Sequence, residues 1–271
     1  MTAGMLDVSG LTVRFGGLTA LDDVTFEART GELLAIIGPN GAGKSSLFNA
    51  LTGVYPATGS ATVEGAELIG CTPPAIARRG VARTFQNLGL FDSLDVMSNL
   101  LIGRHTRMRG GVLSGALWLG RARREDRVAR EELGGLLDSL DLARYRHQVV
   151  GTLPYGVRKQ VDLARALAAE PRLLLLDEPV AGLNTAESER LVEQLVRLRR
   201  ERDMTILLVE HDMPLVMSVA DRVAVLDFGR LVTVGTPDQV QKDERVVAAY
   251  LGERREADAA PAASVPASKE I

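Results

Sequence analysis

From Leu6 to Arg29 apolar and polar positions alternate in strand fashion, with Gly16-Gly17 where a turn is expected. Leu33-Leu-Ala-Ile-Ile37 is an unbroken apolar run, the pattern of a strand buried on both faces. A Gly-rich turn over Gly38 to Ser46 leads into an apolar-periodic helix, Lys44 to Thr52, and Gly59 to Gly65 reads as another short strand. Between about Phe91 and Val150 the period becomes helical, with apolar residues at Leu133, Leu136, Leu137 and Leu140 and no strand candidate. A helix over Gly156 to Ala169, a strand over Leu173 to Leu176, a helix over Ala186 to Arg202 and a strand over Thr205 to Val209 follow. Strands alternating with helices predict an α/β fold with a mostly parallel sheet core. After Leu251 the composition collapses to Ala, Pro, Ser and charge, which cannot bury a core and predicts a disordered tail over 253–271.

Composition narrows the class. The 271 residues are 46% hydrophobic, enough for a sizeable core. Cys71 is the single cysteine, so an internal disulfide is impossible and a reducing compartment is expected. Met1 to Val8 carries no basic run followed by an apolar core, so no signal peptide is expected. The apolar runs fall far short of the roughly 20 residues that cross a bilayer, which leaves a peripheral membrane role at most. A net charge of −3 gives no global attraction to nucleic acid.

Gly38-Pro-Asn-Gly-Ala-Gly-Lys-Ser45 fits the phosphate-loop pattern and lies between a buried strand and a helix, where the chemistry needs it. The loop from Gly38 through Pro39, Asn40, Gly41, Ala42 and Gly43 lets backbone N–H groups wrap phosphates. Lys44 reaches the β and γ phosphates, and Ser45, followed by Ser46, offers a hydroxyl to Mg²⁺. Leu173-Leu-Leu-Leu-Leu-Asp-Glu-Pro179 places two carboxylates at the C-terminal end of a buried strand, the ligand edge of an open α/β sheet. Asp177 is then a candidate Mg²⁺ ligand, and Glu178 a candidate base that orients and deprotonates the attacking water.

Over Leu6 to Gly252 the chain resembles the ABC-type ATPases. The resemblance implies a nucleotide-binding domain over 1–252, with an N-terminal antiparallel β sub-domain and a helical sub-domain inserted at about 91–165. It further implies ATP and Mg²⁺ as ligands. In Phe85-Gln86, Gln86 corresponds to the residue that contacts Mg²⁺ and the attacking water. His211, in Leu207-Leu-Val-Glu-His211, corresponds to the switch histidine on the γ-phosphate. Phe15 corresponds to the aromatic stacked on adenine, with Phe26 as the competing candidate. Ala181-Gly-Leu-Asn184 corresponds to the dimer-contact loop, with Asn184 where the family usually has Asp. The signature loop, usually Leu-Ser-Gly-Gly-Gln, is Leu153-Pro-Tyr-Gly-Val157, so Pro154 and Tyr155 replace the usual Ser and Gly. Here the N–H groups of Tyr155 and Gly156 at a helix start still offer an anion site, for the nucleotide of the opposite subunit.

The Pro-Tyr-Gly signature, Ala-Gly-Leu-Asn after Glu178, Val-Glu-His-Asp-Met213 and Ala249-Tyr-Leu-Gly252 resemble the LivG-type subunits of branched-chain amino acid importers. The implied partners are a second ATP-binding subunit or a second copy of this chain, two transmembrane permease subunits, and indirectly an extracytoplasmic solute-binding protein. The implied place is the cytoplasmic face of the membrane. Alternatives are the ATPase of another transport system, for urea, amides or lipid export, or a non-transport ABC ATPase. A guanine-reading Asn-Lys-x-Asp motif does not occur, which sets a GTPase switch aside. Arg107, Arg109, Arg121, Arg123, Arg124, Arg127 and Arg130, around an apolar run containing Trp118, read either as a solvated helical face or as a docking face for permeases or anionic lipid.

Overall fold

The computed structural model describes residues 4–84, 88–105 and 120–250, the side chains of 120–125 excepted. The expectations for Gln86, for Arg107, Arg109 and Trp118, and for the tail after Gly252 lie outside these residues.

Two sheets organise the fold. Strands β1 (Gly4–Phe15) and β2 (Leu18–Arg29) pair antiparallel across the predicted Gly16-Gly17 turn. With β4 (Thr58–Val63) and β5 (Ala66–Glu67) they make an antiparallel sheet of order β2-β1-β4-β5. The second sheet contains β3 (Leu33–Ile37), β6 (Val81–Arg83), β7 (Leu173–Asp177), β8 (Thr205–Val209), β9 (Arg222–Asp227) and β10 (Arg230–Gly235), in the order β10-β9-β3-β8-β7-β6. Every pairing in it is parallel except the β9-β10 hairpin. All residues of β3, β7 and β8 are buried, because helices or the other sheet cover both faces of these central strands.

Helix α1 (Lys44–Leu51) sits between the sheets. Its Leu47, Phe48 and Leu51 share one apolar cluster with Val8, Leu11 and Leu21 of the first sheet and Leu173, Leu207 and Val209 of the second. On the opposite side, α3 (Val96–Arg104), α4 (Gly120–Ser139) and α5 (Tyr155–Ala168) pack into a second cluster with Leu174 and Leu176 of β7. The predicted stripe Leu133, Leu136, Leu137 and Leu140 is buried there. Helix α6 (Thr185–Glu201) closes the same cluster through Leu191, Leu195 and Leu198.

Short elements escape the sequence pattern. Helix α2 (Pro73–Arg78) and β6 are only six and three residues long, below the length at which a period is legible. Between His211 and Ala249 no element is predicted above. The structure has α7 (Met213–Val219), β9, β10 and α8 (Pro237–Gln241), with a third apolar cluster joining Val216, Val223, Val225, Val240 and Val246.

Register fixes where chemistry can occur. Ile36 of β3 lies opposite Val209 of β8, and Val209 lies opposite Asp177 of β7. Three strands therefore end level, and the segments after Ile37, Asp177 and Val209 emerge together at the C-terminal edge of the sheet, the edge at which open α/β sheets bind ligands.

Candidate active site

The loop after β3 is shaped by glycine. Gly43 has φ +104°, and a Cβ there would come within 2.7 Å of the Ala20 carbonyl on β2. At Gly38 a Cβ would lie 2.1 Å from the Leu226 carbonyl on β9. The β9-β10 turn supports the loop from outside, with the Gly229 N–H donating to the Ala42 carbonyl at 3.0 Å. Lys44 opens α1, and its Nζ donates to the Gly38 and Pro39 carbonyls at 2.6 and 2.9 Å, so the ammonium is held over the loop it belongs to. No side chain caps the start of α1, whose Ser45 and Ser46 line the adjoining cleft, and a helix N-terminus of this kind favours a bound anion.

A cleft of about 560 Å³ runs along this loop from Asn40 to Ser46 and is also lined by Phe15, Phe228 and Glu178. A second cleft, of about 470 Å³, contains Gly38, Pro39, Lys44, Glu178, His211 and Tyr250. Asn40, Lys44 and Glu178 line both, so the two adjoin. Phe15 is half exposed and meets Tyr55 edge to face, ring centroids 4.8 Å apart, which leaves it at the cleft rim. Phe26 is buried in the core and is removed as the competing aromatic.

Asp177 is 5% exposed, and its Oδ2 accepts from Arg83 of β6 at 2.8 Å. Glu178 follows with φ +47°, a backbone that bulky residues rarely adopt. Its N–H donates to the Val209 carbonyl at 2.9 Å, and its own carbonyl accepts from Lys159 Nζ at 2.8 Å. The Glu178 carboxylate lies 4.0 Å from Nδ1 of His211, whose side chain is 68% exposed. Glu210 is fully buried and accepts from the N–H groups of Val180 at 3.0 Å and His211 at 3.2 Å. Burial pushes the Glu210 carboxyl above its usual range, and these two hydrogen bonds oppose the rise.

Among the described residues no three His, Cys, Asp or Glu side chains converge as a metal cage. Ser45 and Asp177 fit Mg²⁺ instead, since that ion takes one or two protein oxygens and completes its shell with phosphate and water.

Pro154 is the N-cap of α5, with Tyr155 as the first helical residue, one position earlier than the pattern predicts. Among the described residues neither cleft is lined by Pro154, Tyr155 or Gly156. This segment instead faces the loop after Glu178: a Cβ at Gly182 would come within 3.0 Å of the Tyr155 ring, and one at Gly156 within 2.9 Å of Glu187. Asn184 caps α6 in a capping box, accepting from the Glu187 N–H at 3.0 Å while the Glu187 carboxylate accepts from the Asn184 N–H at 3.0 Å. The amide thus supplies the cap that an Asp would supply.

The family model for the ABC transporter matches residues 21–181, a span that runs from β2 through the loop after Glu178. The chain belongs to the ABC transporter family. A second model, that of the branched-chain amino acid ATP-binding cassette transporter, matches residues 230–256. The ABC transporter chain is 41% identical to the high-affinity branched-chain amino acid transport ATP-binding protein BraF of Pseudomonas aeruginosa, over 93% of this chain and all of that one. It is 40% identical to LivG of Escherichia coli K12, a high-affinity branched-chain amino acid transport ATP-binding protein, with the same coverage. Its fold is similar to the ADP conformation of MJ1267, an ATP-binding cassette of an ABC transporter, with a TM-score of 0.79, 28% identity and coverage of 93% and 100% of the two chains.

Four residues of this ABC transporter site, Lys159, Arg83, Glu210 and Tyr250, carry no local sequence motif that assigns them to it. Lys159 shares the apolar face of α5 with Leu163 and Leu167, and a buried charge at such a position is itself a signal. Arg83 ends β6 and Glu210 directly follows β8, and the pairing of β6 and β8 with β7 brings them to the site. Tyr250 reaches the second cleft through the C-terminal segment, which no local pattern connects to the phosphate loop.

Proposed function

We propose that this chain binds ATP with Mg²⁺ and hydrolyses it to power an importer of branched-chain or related hydrophobic amino acids. The convergence of Lys44, Glu178 and His211 on one cleft carries the proposal. Lys44 and the N–H groups of the loop from Gly38 to Ser46 hold the phosphates, and Phe15, which lines the same cleft, stacks on adenine. Ser45 and Asp177, with Gln86 as the resemblance implies, would hold Mg²⁺, which would neutralise charge on the phosphates. Glu178 accepts the proton of a water that attacks the γ-phosphorus as the bond to the leaving ADP oxygen breaks, and His211 donates to the γ-phosphate oxygens.

In this reading the work done by hydrolysis passes to other subunits, as the names of the relatives, transport ATP-binding proteins, support. Those are two permeases, joined by a second ATP-binding subunit or a second copy of this chain and fed by an extracytoplasmic solute-binding protein, at the cytoplasmic face of the membrane. Pro154, Tyr155 and Gly156 line neither cleft of their own chain, which supports a role against the nucleotide of the opposite subunit. The relatives named BraF and LivG support the cargo class.

Glu178→Gln keeps the shape and removes the base. Hydrolysis is expected to fall by about 10²- to 10⁴-fold while ATP binding persists. Turnover at the parent rate would overturn the assignment of Glu178. Uptake of labelled leucine by cells with and without the gene tests the cargo, and unchanged uptake of leucine, isoleucine and valine would remove the importer reading.

A further inference from the structure

Glu178 is held at both ends of its backbone. Its N–H is fixed to Val209 on β8, and its carbonyl is fixed by Lys159, which belongs to α5, the helix that begins with the Pro-Tyr-Gly signature. Lys159 is 6% exposed. A buried ammonium is costly unless acceptors and opposite charges surround it. Here the Glu178 carbonyl supplies the acceptor, and the carboxylates of Glu210, Asp162, Glu178 and Asp177 supply the charge. Burial nevertheless keeps the ammonium below the usual lysine range, against the pull of those four groups.

The signature aromatic belongs to the same unit. Lys159 Nζ lies 5.9 Å from the centre of the Tyr155 ring, within range of a cation–π contact. The ring edge also meets Gly182 in the loop that follows Glu178. A glycine at position 155, as in the usual family signature, would leave this side of the ammonium without a ring.

We propose that Lys159 is a positioning residue for hydrolysis, holding the strained Glu178 backbone from the signature helix of the same chain. Tyr155 covers that contact, and the departure from the usual signature serves this function. A shift of α5 relative to β7 then moves the Glu178 carbonyl and, through the same residue, the direction of its carboxylate toward His211. Each chain's signature helix thereby bears on its own hydrolytic carboxylate as well as on the opposite nucleotide.

The proposal rests on the assignment of Glu178 as the base, and the test separates the two. Lys159→Met, Lys159→Arg and Glu178→Gln are compared with the parent in the assembled transporter, measuring kcat and KM for ATP, with thermal melting of each purified subunit. Lys159→Met is expected to lower kcat by about 10-fold or more, as a small misplacement of a catalytic group does, with KM changed less than about 2-fold. Lys159→Arg, which can still donate to the carbonyl, is expected to recover most of the loss. Parent-like kcat in Lys159→Met, with Glu178→Gln inactive, overturns the positioning role alone. Equal losses of kcat, KM and melting in both lysine variants mark a purely structural residue and overturn it as well. Parent-like turnover in Glu178→Gln removes the base assignment, and the positioning proposal falls with it.

Discussion

Arg83 and Asp177 form an ion pair 2.8 Å long in which the side chains are 7% and 6% exposed. Arg83 also donates to Asn49 Oδ1 at 2.6 Å on α1 and lies 5.5 Å from the centre of the Phe48 ring. One guanidinium therefore ties β6 to the ends of α1 and β7, the two elements that carry the phosphate loop and the carboxylate pair. The carboxylate proposed above as a Mg²⁺ ligand is thus oriented by a cation of its own chain.

Removing one partner of a buried ion pair strands the other. Arg83→Met is expected to lower unfolding stability by roughly 3–5 kcal/mol, measured by urea denaturation. Arg83→Met combined with Asp177→Asn is expected to lose less than the single change, because no buried charge is left alone. A single variant with the parent midpoint would mean that the pair contributes nothing.

Lys44→Ala removes both the charge over the phosphate loop and the two bonds to the Gly38 and Pro39 carbonyls. Hydrogen bonds to charged groups contribute about 1.5–3 kcal/mol, so ATP affinity is expected to fall by roughly 10- to 100-fold. Titration with a fluorescent ATP analogue reads this directly, and unchanged affinity would displace Lys44 from the site.

Glu67 provides a pH-dependent case away from the cleft. Burial pushes its carboxyl up, but Ser60 Oγ at 2.6 Å and the N–H groups of Ala61, Ile69 and Leu68 outweigh it and hold the group below its ordinary 4.5. A depressed carboxylate stabilises the fold above its unfolded value and loses that contribution as pH falls through the folded one. Glu67→Gln should therefore be less stable than the parent at neutral pH, by about 1 kcal/mol after solvent screening, with the gap closing as pH drops below 4.5. Melting curves across that range check it. A gap that stays constant with pH would assign the effect to packing.

The parts of the fold written in local pattern were legible. Leu33 to Ile37 and Thr205 to Val209 match the observed strands residue for residue, because a strand covered on both faces is almost wholly apolar, with Thr205 the one polar residue and its Oγ1 accepting from the Gly31 N–H. The phosphate loop was legible because its glycines answer to backbone geometry at Gly38 and Gly43. What escaped depends on contacts between distant segments. Arg83 meets Asp177 across 94 positions of sequence, and Lys159 meets the Glu178 carbonyl, an atom whose availability no side-chain pattern encodes. Asn184 departs from the usual family residue, yet its capping box with Glu187 is local and follows from residue types three apart.

Tyr250 stands in the wall of the second cleft beside Lys44 and His211, and it packs with the cluster that holds α7 to β9. The last described stretch of the chain is consequently part of the catalytic housing. A chimaera made by joining this protein at Gly235 to the C-terminal stretch of another transporter would import a foreign wall into its own hydrolytic chamber. Recombination aimed at changing partners at that end would alter turnover in the same stroke.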